Sequence, residues 1–316
     1  IAPASLPAFS TRTRLLVVAP HPDDDPIATE LLLQQVCEAG GEVCIVLLTA
    51  GDNNPWPQRW LERRLRIGAQ DRRRWAQRRS IEMAQALERL GLSQALVRRL
   101  GWPDLGVSTL LRRSTDDAVA AIAREIDQFA PSLIALPSLA DRHPDHGAAH
   151  VLVRLALARR AVPPALFTYL VHGQPGNGEG VGIPATPGQL ANKRAALLAH
   201  RSQLALSGKR MRRLTDRPER YTAVYRSAPS AATLPWQPPA WLQPWLTLSV
   251  VDPAGARDWA WADAPLERLP GGQFRVSSFA CGQSGPCFAR LAPSLPSPWI
   301  FDHWGWCELS GHSGGV

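Results

Sequence analysis

The chain has 316 residues, 45% of them hydrophobic and 20% charged, with a formal net charge of +8. That length supports one large core or a core with a smaller appendage, and that composition excludes wholesale disorder. No run approaches the ~20 uninterrupted apolar residues of a membrane-spanning helix.

The chain opens at Ile1 rather than Met, so it reads as truncated or processed, with a removed signal or anchor compatible with it. The expected location is cytoplasmic, or exported and peripheral to a membrane. The positive charge is unevenly spread. Nine arginines fall between Arg59 and Arg79: Arg59, Arg63, Arg64, Arg66, Arg72, Arg73, Arg74, Arg78 and Arg79. Such a block meets phosphates, those of an anionic membrane surface included, or it is a solvated helix face. No zinc-finger or RNA-recognition signature accompanies it, so no nucleic-acid partner is expected. Five cysteines are an odd count. Cys37 and Cys44 read as small core residues, whereas Cys281 and Cys287 could pair in an exported protein and leave Cys307 alone.

In chain order, strand signals fall at 14–19, 43–49, 96–100, 132–137 and 165–171. Helix signals fall between them, at 27–39, 60–90, 115–129, 146–160 and 187–201. Single strands separated by helices predict βαβ units. The expected class is α/β: a Rossmann-like three-layer sandwich with a mostly parallel sheet, plus a small β-rich C-terminal extension. Asp25 and Pro26 suit the N-cap and first turn of the first helix. Residues 227–244 are rich in Ser, Ala and Pro and read as a linker. The expected division is therefore 12–226, a linker at 227–244, and a β-rich unit at 245–316. Eight of the twelve tryptophans lie beyond residue 235, where they pack a small core or stack on sugar rings. This tail holds no constellation of metal ligands and is expected to be dispensable for metal binding.

Two segments carry the chemistry. Pro20-His21-Pro22-Asp23-Asp24-Asp25 follows the apolar run Leu15–Ala19, and His143-Pro144-Asp145-His146 follows Leu133–Leu136. Ligands of open parallel sheets sit outside the carboxyl ends of the strands. Imidazoles and carboxylates delivered there suit a divalent metal, for which hydrolases use three protein ligands and leave a position for water. His21, Asp24 and His146 make such a set. Asp23 is then placed as general base, and His143 as a proton donor across the substrate carbonyl, with Asp145 or Asp141 orienting its ring.

These motifs resemble those of the LmbE/PIG-L family of zinc-dependent N-deacetylases, which includes GlcNAc-phosphatidylinositol deacetylases. The family's first motif, Pro-His-Pro-Asp-Asp-Glu, is matched at 20–25 except that Asp25 replaces Glu. Its second, His-x-Asp-His, is matched in full at 143–146. Weaker matches are Thr49-Ala50-Gly51-Asp52, Arg79 with Glu82, Trp102-Pro103-Asp104 (with Leu105 where Gly is usual), and Lys193–Leu197 followed by His200 and Ser202-Gln203. The resemblance covers residues 12–226. It implies Zn2+, or another divalent metal, on His21, Asp24 and His146, with Asp23 as base and His143 stabilising the oxyanion and protonating the leaving amine. Asp104 binds sugar hydroxyls or forms a turn. Arg79 contacts substrate hydroxyls or phosphate, or pairs with Glu82 along its helix.

The function expected is removal of the N-acetyl group from an N-acetylglucosaminyl conjugate, whether a lipid, a glycoside or a glycopeptide. The partner expected is an N-acetylated amino sugar, anionic or lipid-linked. Alternatives are a zinc amidase acting on a thiol conjugate or antibiotic precursor, and a non-catalytic sugar- or anionic-lipid-binding protein. Dinucleotide binding lacks the Gly-x-Gly-x-x-Gly that would follow the first strand.

Overall fold

Leu15–Ala19, Val43–Leu48 and Leu133–Leu136 are buried over their whole length. Continuous apolar runs of this kind belong to parallel strands covered on both faces. The structure, a computed structural model, describes residues 6–92, 97–158, 160–173, 180–224, 233–277, 285–295 and 300–309. Two compact units emerge from its contacts, each assembled from separated stretches: 1–106, 125–137 and 164–224 in one, 107–124, 138–163 and 225–316 in the other.

In chain order the strands and helices up to residue 102 are β1 (Arg14–Ala19), α1 (Asp24–Ala28), α2 (Glu30–Glu38), β2 (Glu42–Thr49), α3 (Pro55–Glu62), α4 (Ala69–Arg89) and β3 (Val97–Trp102). They continue with α5 (Val107–Arg113), α6 (Thr115–Phe129), β4 (Leu133–Pro137), α7 (Pro144–Leu157), β5 (Ala165–Tyr169) and β6 (Val181–Gly182). Then come α8 (Pro187–Leu197), α9 (Arg201–Thr215) and β7 (Arg220–Ala223).

The first unit is organised by a seven-stranded sheet of order β3-β2-β1-β4-β5-β7-β6. β3-β2-β1-β4-β5 pair in parallel, and β7 runs antiparallel to both β5 and β6. The strand order reverses between β1 and β4. That switch point is where doubly wound sheets hold their ligands. The first histidine segment leaves the sheet at the carboxyl end of β1, and the second follows the carboxyl end of β4. Register pairs Val17 with Ala135, so the two exits lie side by side. The expected α/β class with its mostly parallel sheet and added β structure is what the chain adopts.

The span 60–90 is not one helix. Arg63 closes α3 in the left-handed region at φ 50, and α4 starts afresh after Gly68, whose amide donates to Asp71 Oδ2 at 2.8 Å. A capped end and a capped start within six residues interrupt a pattern that reads as continuous. Helix α9, strands β6 and β7 and the short α5 lie outside the elements expected from sequence.

The second unit contains α5, α7 and the C-terminal strands β8 (Leu246–Asp252), β9 (Gly255–Ala260), β10 (Leu266–Arg268), β11 (Phe274–Val276), β12 (Phe288–Pro293) and β13 (Cys307–Glu308). β13-β12-β8-β9 form an antiparallel sheet, and β10 pairs with β11. Trp304 is buried in its core, with Trp236, Trp259 and Trp261 packed partly buried against it. Core packing therefore accounts for these tryptophans, while Trp241 and Trp245 face solvent. Of the expected linker, residues 227–232 lie outside the described residues, as does Cys281. Cys287 is disulfide-bonded, and Cys37, Cys44 and Cys307 are free.

Candidate active site

In the first unit, β1 ends at Ala19 and the chain turns so that the His21 amide donates to Asp24 Oδ2 at 2.8 Å. His21 Nδ1 lies 3.4 Å from the same carboxylate, and its Nε2 lies 3.2 Å from Asp104 Oδ1. All three side chains are buried. Asp104 also accepts from the Asn53 amide at 2.7 Å. Burial would push its carboxyl up, but the His21 hydrogen bond and charge, the Asn53 amide and Arg79 outweigh burial and hold it below the usual carboxylate range. Leu105 has φ 60, the left-handed backbone that favours glycine, which explains why Gly is the usual residue there.

Asp23 is half-buried and pairs through Oδ1 with the Arg79 guanidinium, which also donates to the Gly51 carbonyl at 2.5 Å. Gly51 has φ 63, and a Cβ there would sit 1.6 Å from Arg79 Nη1. Only glycine leaves room for this clamp. Arg79 thus lies against the expected base, while Glu82 is engaged by Arg78 and by the Ser202 amide and hydroxyl.

His200, expected only as part of a late-helix resemblance, is fully buried beside these charges. Neither ring nitrogen has a hydrogen-bond partner among the described residues. Burial lowers its pKa to about 4, with Arg79 acting in the same direction and Asp23 opposing. His172, just past β5, is a further imidazole at the carboxyl edge of the sheet, hydrogen-bonded at Nδ1 to Arg210. No motif surrounds it, so nothing local in the chain marks it as a ligand.

In the second unit the other histidine segment lies at the start of α7. His143 is the N-cap, Pro144 follows it, and the His143 Nδ1 accepts the Asp145 amide at 3.3 Å. That bond requires an unprotonated Nδ1 and so places the proton of the neutral ring on Nε2. Asp141 divides its carboxylate, taking the His143 amide on Oδ1 at 2.9 Å and lying 3.1 Å from His146 Nδ1 through Oδ2. The Asp141 carboxylate on His146 Nδ1 is the usual carboxylate–histidine arrangement of metal ligands. Asp145 Oδ1 accepts the Val107 amide at 3.1 Å.

The C-terminal tail secures this half. Trp306 is 2% exposed and packs so closely that a Cβ on Gly147 would lie 3.0 Å from its Cδ1. Arg154 makes a two-pronged pair with Glu308 at 2.6 and 2.9 Å, and the Asp302 amide donates to the Arg142 carbonyl. These contacts tie the tail to the helix that carries His146.

Buried imidazoles and carboxylates of this kind could hold a metal ion, and His21, Asp24 and His146 are of the donor types that zinc takes. His21 is held between Asp24 and Asp104, and His146 by Asp141, the carboxylate–histidine pairing that metal-binding imidazoles use.

An α/β sheet of this order, with a histidine segment after the carboxyl end of each of two neighbouring strands, is of the kind that holds ligands at its switch point. Residues 16–157 match the family described as PIG-L, GlcNAc-PI de-N-acetylase, so both histidine segments lie inside the match. The match is to a PIG-L (LmbE-like) domain and covers a little under half of the chain. Among curated proteins, none matches. Among solved structures, a deacetylase triple mutant of the teicoplanin biosynthetic pathway is similar at 22% identity and TM-score 0.53, over 69% of this chain and all of that one. The N,N'-diacetylchitobiose deacetylase of Pyrococcus horikoshii is similar at 17% identity and TM-score 0.50, over 67% and 84%. The 4-carboxy-2-hydroxymuconate hydratase of Pseudomonas putida is similar at 19% identity and TM-score 0.50, over 67% and 96%. At these identities the likeness is one of fold, and the hydratase marks that the fold alone does not set the reaction.

Proposed function

We propose that this protein hydrolyses the N-acetyl group of an N-acetylglucosaminyl conjugate, releasing acetate and a free amine, with one zinc ion held by His21, Asp24 and His146. The observation that carries the reading is the family match spanning both histidine segments, each with its donors buried. A diacetylchitobiose deacetylase on the same fold is consistent with an acetylated amino sugar as substrate.

When bound, a divalent ion supplies Lewis acidity, polarising a carbonyl and bringing a water's pKa toward about 7. Asp23 takes the proton of the attacking water, and Arg79 fixes its rotamer by holding Oδ1, leaving Oδ2 to accept. His143 donates its Nε2 hydrogen bond to the developing oxyanion, and the proton that Asp23 took from the water passes to the amine as the C–N bond breaks, so no imidazolate forms. Asp145 keeps the α7 entry in place through Val107. Asp104 orients His21 and contacts sugar hydroxyls.

The test is acetate release by zinc-loaded protein from N-acetylglucosaminyl lipids, glycosides and glycopeptides, with an S-conjugate amide in parallel. Asp23→Asn is expected to keep its metal and lose about 10²–10⁴-fold in turnover, since an amide cannot accept the proton. Near-normal turnover in that variant would move the base elsewhere. Hydrolysis of the S-conjugate alone would assign the amidase reading.

A further inference from the structure

The structure divides the nine arginines of the block by what they touch. Arg79 is buried in the site, and Arg78 pairs with Glu82. Arg64 and Arg74 pair with Asp71, and Arg74 also with Glu62, while Arg59 lies over the Trp56 ring. Arg63, Arg66 and Arg73 are exposed and make no ion pair among the described residues, while Arg72, also exposed, lies close enough to Asp52 to act on its carboxyl. Between residues 55 and 74 there are seven arginines and two acidic residues, and both acids are occupied by the pairs just named.

Beside these free cations α3 turns large apolar groups outward. Its inner side is Pro57 and Gln58, both buried, with Gln58 Nε2 donating to the Asp71 carbonyl at 2.7 Å. On its outer side Trp56 is 63% exposed and Trp60, one helical turn on, is 67% exposed. Past the left-handed turn at Arg63, Leu65 is 91% exposed. One exposed apolar residue needs no explanation, but two tryptophans and a projecting leucine within ten residues are a patch. A solvated helix face would carry none of them.

We propose that this surface docks the protein on a bilayer containing anionic lipids, with Trp56, Trp60 and Leu65 entering the headgroup–acyl boundary and Arg63 and Arg66 meeting lipid phosphates. Tryptophan and leucine flanked by arginine is the composition of interfacial helices, in which aromatic rings settle at headgroup depth and arginines keep their charge in water. Charge complementarity selects the occupant: the acidic groups of the patch are already neutralised, so its remaining field is positive. The placement is functional as well. Asn54 caps α3, and the preceding Asn53 amide is bonded to Asp104. The docking helix thus starts one residue from the His21–Asp104 cluster.

The experiment is vesicle co-sedimentation of the full chain, comparing phosphatidylcholine alone with phosphatidylcholine mixed with phosphatidylglycerol, at rising salt. Binding to the mixed vesicles that weakens with salt is expected. Trp60→Ala and Leu65→Glu should each lower partitioning about tenfold or more, and Arg63→Ala or Arg66→Ala roughly fivefold each. Arg12→Ala, exposed at the amino end of β1 and so at the opposite edge of the sheet from α3, should leave binding unchanged. All of these side chains are exposed, and an unchanged melting temperature confirms folding. Absence of binding to the mixed vesicles at low salt overturns the proposal. Binding that Trp60→Ala and Leu65→Glu do not weaken, or that Arg12→Ala weakens equally, also overturns it, because attraction would then follow net charge rather than this patch. Hydrolysis of a water-soluble acetylated sugar is measured alongside. Its loss would refute the deacetylase reading and leave the docking result standing.

Discussion

Around α1 the supporting groups are charged, and around α7 they are mostly apolar. The Lys193 ammonium is buried against Glu219 at 2.5 Å and donates to the Ile27 carbonyl, while Glu219 accepts the Leu31 and Leu32 amides at the start of α2. Tyr221 lies 2.8 Å from the Ala28 carbonyl. The five-residue helix bearing Asp24 is therefore held by a fully paired polar network, in which removing one partner strands a buried charge. Helix α7 instead buries nearly every residue of its fourteen, and Trp306 closes over its first turn. A long helix fixed by packing tolerates changes of pH and salt. A short one fixed by a buried ion pair depends instead on both partners being present. The two halves of the proposed centre should thus fail under different conditions.

The largest effect expected on the α7 side comes from Trp306→Ala. Removing a fully buried indole costs about 3–5 kcal/mol, and the cavity opens beside Gly147, next to His146. Denaturant unfolding should show this loss together with weaker metal retention. A midpoint within error of wild type would show that α7 does not depend on the tail. Ending the chain at Arg226 is the harsher version and tests the boundary proposed there. It removes Trp306, Glu308 and Asp302 together, and a folded, metal-retaining product would uphold that boundary.

On the α1 side the corresponding probe is pH. His200 has an unfolded pKa near 6.5 and a folded value of about 4. Its folded pKa is depressed, so the unfolded state binds the extra proton. Stability is complete above 6.5 and falls as pH drops from 6.5 toward 4. The loss by pH 4 is roughly 3 kcal/mol at 1.36 kcal/mol per unit. In metal-free protein, the difference in unfolding free energy between wild type and His200→Gln should shift by that amount between pH 7 and pH 4. A difference that stays flat would mean that His200 is solvated or already charged, and would remove pH as the distinction between the halves.

How much of this was legible follows the range of the interactions. The buried strands, the two histidine segments and their order at the sheet edge are written locally, as apolar runs followed by His and Asp. Helix α9 was missed because its outward face, with Lys209, Arg210, Arg212 and Arg213, obscures a buried side made of separated residues such as Met211 and Leu214. The break in 60–90 depends on Asp71 capping Gly68, a local bond hidden by the surrounding arginines. Arg79 on Asp23 spans 56 residues, and Trp306 against Gly147 spans more than 150. No single-sequence pattern encodes pairs at that separation. Gly51, in the left-handed backbone region against Arg79, and Gly147, inside α7 against Trp306, were the available signals, since each is a glycine beside a motif residue.

The smallest of these effects is the most specific. Asp141→Asn removes the carboxylate 3.1 Å from His146 Nδ1 while keeping the side chain's size. The amide oxygen can still accept from the His143 backbone or from the imidazole, so the fold should survive with little change in melting temperature. What changes is the charge behind the ligand. A carboxylate on Nδ1 raises the basicity of the imidazole and fixes Nε2 as its donor atom, and losing such a partner typically costs about 10–100-fold in metal affinity. Competition against a chelator should show that loss for zinc. Asp141→Ala should show a larger loss, accompanied by destabilisation, because the His143 amide then loses its acceptor as well. Equal affinity in wild type and Asp141→Asn would mean that the proposed centre does not use His146. Because Asp141 serves the α7 half alone, its variant and the His200 variant should be additive in stability if the two halves are supported independently, and departure from additivity would place a shared partner between them.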